Sequence, residues 1–356
     1  MNKAEIENHP DFEGHEVVEY REAGNLKAFI AVHNSNLGPA VGGCRMFPYA
    51  TTTDALTDVL QLSRGMTYKS ALANLPLGGG KAVIIGNPRV DKHRDLLLAM
   101  GDFIASLDGR YITAEDSGTS AADMQVIRER TKHVSGVEEA LEHGGDPSPS
   151  TAYGIFIGIQ AAVQFRLGRE DLGGIKVAIQ GVGSVGFHLA QLLADAGAEI
   201  FVADIHEANV NRTAEVTGAQ VRQPQYIHSL DVDVYSPCAM GGVINDNTLP
   251  KLQTSIIAGG ANNQLLTHAH GVELHRRGVL YVPDYVINAG GIIDICYQHL
   301  EKDRRAMRCH VESIGDTVLE ILHLAEKSGR PTNDIADELA EVRFSRDPLH
   351  QSTKTG

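Results

Sequence analysis

A chain of 356 residues exceeds the roughly 250–300 residues over which one hydrophobic core is sustained, so two domains are expected. With 42% hydrophobic residues, 21% charged residues and a formal charge of −14, it has no general affinity for nucleic acid or anionic membrane. An anionic substrate must therefore be drawn in by local cations.

Cys44, Cys238, Cys296 and Cys309 match no metal-ligand spacing and read as reduced thiols of a cytoplasmic protein. The sixteen histidines are scattered, without an HExxH pattern, and no metal site is expected. The N-terminus is polar and acidic, unlike a signal peptide. No apolar run approaches the ~20 residues of a membrane-spanning helix. A soluble intracellular protein is expected.

In chain order, Glu16 to Arg21 and Lys27 to His33 alternate as half-buried strands, and Gly24-Asn25 between them predicts a hairpin. A long helix is predicted from the capping region Thr51 to Asp54, with Leu56, Val59, Leu60 and Leu62 on a helical period. Lys69 and Lys81 follow, twelve residues apart, each flanked by apolar or small residues. Two readings fit. Both lysines could snorkel from the ends of buried elements. Alternatively, two ammonium groups share one cavity, where desolvation and repulsion lower at least one pKa and produce a general base. Strands are predicted at Lys81 to Ile85 and Arg110 to Ala114, with a helix from Asp95 to Leu107 between them. Glu115 and Asp116 then stand at a strand end, where α/β sites tend to form.

Gly144 to Ser150 is the clearest linker signal. Beyond it, apolar strands at Lys176 to Gln180, Glu199 to Ala203, Val232 to Tyr235, Ile256 to Ala258 and Val279 to Val282 alternate with helices, predicting a parallel doubly wound sheet. Gly181-Val182-Gly183-Ser184-Val185-Gly186 lies between the first of these strands and a helix, the context a dinucleotide-binding turn requires. Asp204, eighteen residues after Gly186, would accept hydrogen bonds from the adenosine ribose and repel a 2′-phosphate, favouring NAD over NADP. A charged helical tail ends the chain. The expected domains are residues 1–147, with the tail 331–356 packed back on it, and a Rossmann-type domain of residues 148–330.

Two cations and a carboxylate opposite a nicotinamide suit an amino acid undergoing hydride transfer. The motifs Leu37 to Ala40 with Gly42-Gly43, Gly65 to Lys69, Leu77 to Lys81, Tyr111 to Asp116, Pro147 to Gly154, Ala258 to Gln264 and Pro283 to Gly291 occur in the right order. On these residues the chain resembles the amino-acid dehydrogenases of the glutamate/leucine/phenylalanine/valine family, most closely the leucine-specific branch, over nearly its whole length. The resemblance implies an α/β fold with an N-terminal substrate and oligomerisation domain, a Rossmann-type NAD domain, and an active-site cleft between them. It implies a homo-oligomer. It also implies that Lys69 binds the substrate carboxylate, that Lys81 is the low-pKa lysine activating water, and that Asp116 moves protons at the amino group. By the same resemblance, Asn262 and Asn288 contact substrate and nicotinamide, and Thr151 lies near the carboxamide. The implied reaction converts an L-amino acid, NAD⁺ and water to a 2-oxo acid, ammonia and NADH.

Val41, Ala114, Ile292 and Ile295, with Met66 as a further contributor and Gly42 beside Val41, match positions that line the substrate side chain. All but the glycine are apolar, which disfavours glutamate, since its second carboxylate would be buried unpaired. The bulk of Ile292 and Ile295 favours branched aliphatic substrates (leucine, valine, isoleucine) over phenylalanine or tryptophan, though any of these residues could be plain core. A non-catalytic nucleotide-binding sensor is the alternative of another class, and the intact set Lys69, Lys81 and Asp116 argues against it. Cys44, Ser184 and Gly186 depart from the family pattern.

Overall fold

The computed structural model describes residues 3–136, 146–300 and 302–345. They form two compact units, one from Met1–Gly145 together with Ala340–Gly356 and the other from Asp146–Leu339. Part of the expected linker, Gly144 and Gly145, lies outside the described residues, as does the tail beyond residue 345.

The first unit contains α1 (Lys3–Glu7), β1 (Val17–Ala23), β2 (Leu26–Asn34), β3 (Ala40–Phe47) and α2 (Thr52–Leu72). It continues through β4 (Gly78–Ile85), α3 (Arg94–Ala105), β5 (Tyr111–Glu115) and α4 (Ala121–Arg128). The five strands form a mixed sheet in the order β1-β2-β4-β3-β5. The β1–β2 hairpin and the β2–β4 pair are antiparallel, whereas β3 runs parallel to both β4 and β5. The α2 helix starts where expected, because Thr51 and Asp54 each accept the other's backbone N–H in a capping box. Leu56, Val59 and Leu60 are buried with Phe29 and Val83 on one sheet face, while Leu62 is only half-buried. The other face packs Ala82, Ile84 and Tyr111 against Leu97, Met100 and Phe103 of α3.

Two features depart from expectation. β3 was not anticipated, since Gly42 and Gly43 break its apolar pattern. β4 begins at Gly78 instead of Lys81, taking in the glycine triplet. The reason is close approach: a Cβ on Gly79 would overlap the backbone nitrogen of Thr67. Only glycine lets α2 lie directly on the strand at this crossing.

That crossing buries two histidines. His33 Nδ1 shares a hydrogen bond of 2.9 Å with Thr67 Oγ1, and its ring meets that of His15 edge-on at 4.9 Å. Burial, then His15, then Arg64 push the His33 pKa down to about 3, and burial also lowers that of His15. A histidine whose folded pKa lies below its unfolded value takes up protons preferentially when unfolded. Its stabilising contribution is therefore complete above the unfolded value and is lost as pH falls from about 6.5 toward about 3. His33 should give a slope of about 1.4 kcal/mol per pH unit inside that window. Replacing His33 by Gln, which keeps a partner for Thr67, should flatten the dependence of unfolding free energy on pH between about 6 and about 4. Denaturant titrations followed by circular dichroism measure it, and identical slopes in both proteins would refute the assignment.

The second unit contains α5 (Ser148–Leu167), β6 (Lys176–Gln180), α6 (Ser184–Asp195), β7 (Glu199–Ala203), α7 (Glu207–Thr217) and β8 (Gln220–Val221). Then follow β9 (Asp231–Pro237), β10 (Gln253–Ile257), α8 (His268–Arg276), β11 (Leu280–Tyr281), α9 (Asp284–Ile287) and α10 (Gly290–His299). Three helices close the described chain, α11 (Arg304–Glu312), α12 (Ile314–Ser328) and α13 (Thr332–Phe344). The sheet has six strands in the order β11-β10-β9-β6-β7-β8, every pair parallel. This is the doubly wound Rossmann order, with its switch point between β6 and β9. Among the described residues, no helix is long and apolar enough to cross a membrane.

Candidate active site

Strand register explains how the first unit assembles its polar centre. Val41 and Gly43 of β3 stand opposite Gly79 of β4 and Ala114 of β5, respectively. Because side chains alternate, Val41, Gly43 and Arg45 share the α2-facing side with Lys81, Ala114 and Asp116. Glu115 points the other way, so only one of the two strand-end carboxylates joins the lysine.

Lys81 lies on β4 and Asp116 directly follows β5, two strands separated by β3, yet Lys81 Nζ lies 2.6 Å from Asp116 Oδ2. They meet because Gly43 is bare. A Cβ built on it would stand 2.6 Å from Asp116 Cβ and 2.8 Å from the Glu115 carbonyl oxygen. Lys81 is 6% exposed. Its ammonium thus faces a carboxylate in the core of the unit, where an unpaired charge would be costly.

Asp116 is held from two further directions. Its backbone N–H donates to Thr119 Oγ1 at 3.0 Å, and that hydroxyl donates to the Cys44 carbonyl at 2.8 Å. Arg45 Nε donates to Asp116 Oδ2 at 3.2 Å. Burial pushes the Asp116 carboxyl up, but Lys81 and Arg45 outweigh it, and its pKa lies below the ordinary value. It is a carboxylate at neutral pH. Cys44 beneath it is fully buried, and desolvation followed by the Asp116 charge pushes its thiol up to about 12.

The other expected residues of this unit lie on β3, β5 and α2. Val41 and Ala114 are buried on the same sheet face. Met66 and Lys69, one helical turn apart and half-exposed, sit along one edge of α2. Gly42 belongs to the opposite face, where the Tyr111 hydroxyl donates to its carbonyl at 2.7 Å.

In the second unit the glycine turn follows β6. Gly181 takes a left-handed φ of +93°, and its N–H donates to the Ala203 carbonyl at 2.7 Å. Gly183 is the N-cap of α6, and no side chain caps the first N–H groups of that helix. Such a terminus attracts an anion. A Cβ on Gly183 would meet nothing within 4 Å, whereas one on Gly186 would collide with the Gly181 carbonyl oxygen. Asp204 directly follows β7 and braces the turn: Oδ2 accepts from Val182 N and Oδ1 from His206 N, both at 2.8 Å. Each oxygen retains a second lone pair with which to accept from a ribose hydroxyl.

Adjoining this turn, Gly260 would place a Cβ 3.4 Å from Val185 Cγ1. Asn288 Nδ2 donates to the Gly260 carbonyl at 3.2 Å and to Asn262 Oδ1 at 2.8 Å. Asn288 is buried, and its Oδ1 has no hydrogen-bond partner. A buried orphan acceptor beside this glycine turn suits an amide N–H of a ligand. Thr151 packs against Gly291, and Ile292 (buried) and Ile295 (half-buried) lie one turn apart on α10. The open helix terminus, the Asp204 carboxylate and the Asn288 acceptor together fit a dinucleotide ending in a carboxamide.

Comparison with known proteins shows which family the chain falls in. Residues 16–133 match the dimerisation domain of Glu/Leu/Phe/Val dehydrogenases, and residues 201–313 match the Glutamate/Leucine/Phenylalanine/Valine dehydrogenase domain. The leucine dehydrogenase of Thermoactinomyces intermedius is 45% identical over 334 residues, covering 94% of this chain and 91% of that one. The chain belongs to the Glu/Leu/Phe/Val dehydrogenase family. The L-tryptophan dehydrogenase of Nostoc punctiforme is as similar, 46% identical over 342 residues and covering 95% and 96% of the two chains. Its crystal structure matches with a TM-score of 0.82 over 93% of this chain and 96% of that one, at 45% identity. The phenylalanine dehydrogenase of Bacillus thermotolerans is 43% identical over 324 residues, covering 90% and 85%.

This member of the family of nicotinamide-dependent amino-acid dehydrogenases carries groups that sequence reasoning missed. Arg45 binds Asp58 of α2 through NH1, at 3.2 and 3.0 Å to the two carboxylate oxygens, and the Tyr49 hydroxyl donates to the same carboxylate. Arg45, Tyr49 and Asp58 line a cavity of about 370 Å³ with Phe47 and Gln61. The signal was present: Arg45 follows Gly43 by two residues and must share its face. It went unread because β3 itself was not recognised.

Proposed function

We propose that this dehydrogenase oxidatively deaminates branched-chain aliphatic L-amino acids, leucine above all, using NAD⁺. The buried Lys81–Asp116 pair at 2.6 Å carries the reading, since it joins a candidate base to a candidate proton acceptor. Lys69 binds the substrate α-carboxylate. Asp116 accepts a proton from the amino group. The hydride leaves the substrate α-carbon for the nicotinamide, which is the chemistry the bound cofactor supplies. Lys81 then takes a proton from water as the water attacks the resulting iminium carbon. Asp116 returns a proton to the nitrogen of the carbinolamine, the C–N bond breaks, and the hydroxyl proton passes to the departing ammonia, leaving the 2-oxo acid and ammonium.

Thr151, Asn262 and Asn288 orient the carboxamide and substrate, and Gly181 to Gly186 hold the pyrophosphate. Asp204 supports NAD over NADP, because its carboxylate would repel a 2′-phosphate. Val41, Gly42, Met66, Ala114, Ile292 and Ile295 form the side-chain pocket. Such a pocket leaves a glutamate side-chain carboxylate unpaired and rejects it. In this reading the second unit binds the nucleotide, and the first binds substrate and joins subunits into a cytoplasmic homo-oligomer.

A second reading, an aromatic substrate, is favoured by the equal similarity to the tryptophan dehydrogenase. Initial rates of NADH formation on leucine, isoleucine, valine, phenylalanine and tryptophan, with NAD⁺ and with NADP⁺, separate the two. The expected order is leucine first, with NAD⁺ the better cofactor. A higher kcat/KM on either aromatic amino acid overturns the pocket, and equal use of NADP⁺ overturns the role of Asp204.

A further inference from the structure

We propose that Arg45 is a positioning residue for the reaction: clamped by Asp58, it fixes the Asp116 carboxylate over Gly43 in the orientation that meets Lys81. The inference rests on the deamination reading above and extends it to a residue that neither touches substrate nor exchanges a proton.

The charges alternate along one line, with Lys81 and Arg45 on Asp116 Oδ2 at 2.6 and 3.2 Å, and Asp58 on Arg45 at 3.0 Å. Both cations use Oδ2, and the Ser117 backbone N–H also reaches the carboxyl, whose two oxygens together offer about four lone-pair sites and so can still accept from an amino group. A guanidinium is planar and permanently charged, so it orients the carboxylate without entering the proton transfers. Asp58 is held in turn by Tyr49, whose hydroxyl is pushed far up by burial and then by the Asp58 charge. It therefore remains a donor. Lys81 from β4 and Arg45 from β3 meet Asp116 on its own face, while the Cys44 thiol of β3 and Tyr111 of β5 feel its charge from the opposite face of the sheet. Asp58 and Tyr49 stand behind Arg45. Lys81 and Arg45 are cations in direct contact with the carboxylate.

The consequence has a sign. Removing the Arg45 charge makes protonation of Asp116 easier. That moves the acid limb of the kcat/KM profile to higher pH. A side chain that merely supported the fold would lower the rate equally at every pH.

The test is the pH profile of kcat and kcat/KM for the wild type, Arg45→Met, Arg45→Lys and Asp58→Asn, with folding checked by circular dichroism. In Arg45→Met the acid limb should rise by about one pH unit and kcat should fall roughly a hundredfold. Arg45→Lys should return the limb to its wild-type position while kcat stays reduced. Asp58→Asn keeps the guanidinium charge, so kcat should fall roughly tenfold with no upward shift of the limb. An unmoved limb in Arg45→Met, or wild-type kcat in that variant, overturns the proposal. If the wild type turns over no amino acid, the deamination reading fails instead, and carboxyl-carbon NMR titration of Asp116 still decides the matter. Its midpoint should be higher in Arg45→Met than in wild type, and equal midpoints overturn the role of Arg45. If Arg45→Met does not fold, the same comparison is made with Asp58→Asn, where a midpoint and kcat both equal to wild type overturn it.

Discussion

Lys81→Ala should lower kcat for amino-acid oxidation by about 10²–10⁴-fold, the usual contribution of a positioned acid–base group, while the protein stays folded. Folding survives because Asp116 keeps its second cation, Arg45, 3.2 Å from the same oxygen. The carboxylate is therefore not orphaned in the core, the circumstance that makes breaking a buried pair so damaging. Stability should still fall at neutral pH. The folded carboxyl of Asp116 lies below its unfolded pKa, so its contribution exists above the unfolded value and disappears as pH drops through the folded one. The variant loses part of that contribution, and its stability should depend less on pH in the acid range. Small primary amines added to the assay should restore some of the lost turnover, because the vacated space lies beside Asp116. Near-normal kcat in Lys81→Ala would remove the proton chemistry from this residue. Loss of rate without any amine rescue, in a protein that no longer folds, would reduce Lys81 to a structural cation.

Gly43→Ala should be nearly as harmful, although it adds one methyl group and touches no charge. That methyl would sit 2.6 Å from Asp116 Cβ and 2.8 Å from the Glu115 carbonyl oxygen. Neither atom can give way cheaply, since one is next to the backbone and the other belongs to it. The β3–β5 pairing must shift at Gly43 and Ala114, carrying Asp116 away from Lys81. A displacement near 1 Å at a reacting group costs about a hundredfold in rate, and overpacking costs about 1–3 kcal/mol in stability. Gly65→Ala provides the contrast. Gly65 lies inside α2 with nothing within 4 Å of a built Cβ, so alanine there should stabilise the protein by about 1 kcal/mol through helix propensity. Melting temperatures of the two variants should therefore move in opposite directions. Wild-type kcat and stability in Gly43→Ala would mean that Lys81 and Asp116 do not depend on a bare strand between them.

These two glycines mark the limit of what the sequence disclosed. The parallel sheet of the second unit was legible because its strands are continuous apolar runs between helices, and the turn from Gly181 to Gly186 fell where a strand passes into a helix. The start of α2 was legible from Thr51 and Asp54. β3 was not, because a strand that must pass beneath two long side chains cannot carry side chains of its own at that point, and glycine reads as a turn. For the same reason Gly78 to Gly80 read as a loop ahead of Lys81, when closeness to α2 demands glycine within the strand. The lysine pair pointed to the right neighbourhood but did not give the contact that Lys81 makes there. That contact is Asp116, and Arg45 is a further cation on the same carboxylate. Spacing along the chain reports such contacts only when the register between strands is known.

The substrate is less legible for a different reason. Leucine, tryptophan and phenylalanine dehydrogenases stand at 45%, 46% and 43% identity to this chain, so overall similarity does not rank them. The choice rests on a few apolar side chains, and one methylene in such a pocket discriminates by only about 1–3 kcal/mol.

Product analysis with L-leucine and NAD⁺ tests the account most directly. NADH, ammonia and the 2-oxo acid should form in equal amounts in the wild type, and Lys81→Ala should depress all three together by about 10²–10⁴-fold. Absence of NADH formation from every amino acid in the wild type, or unequal products, would contradict it.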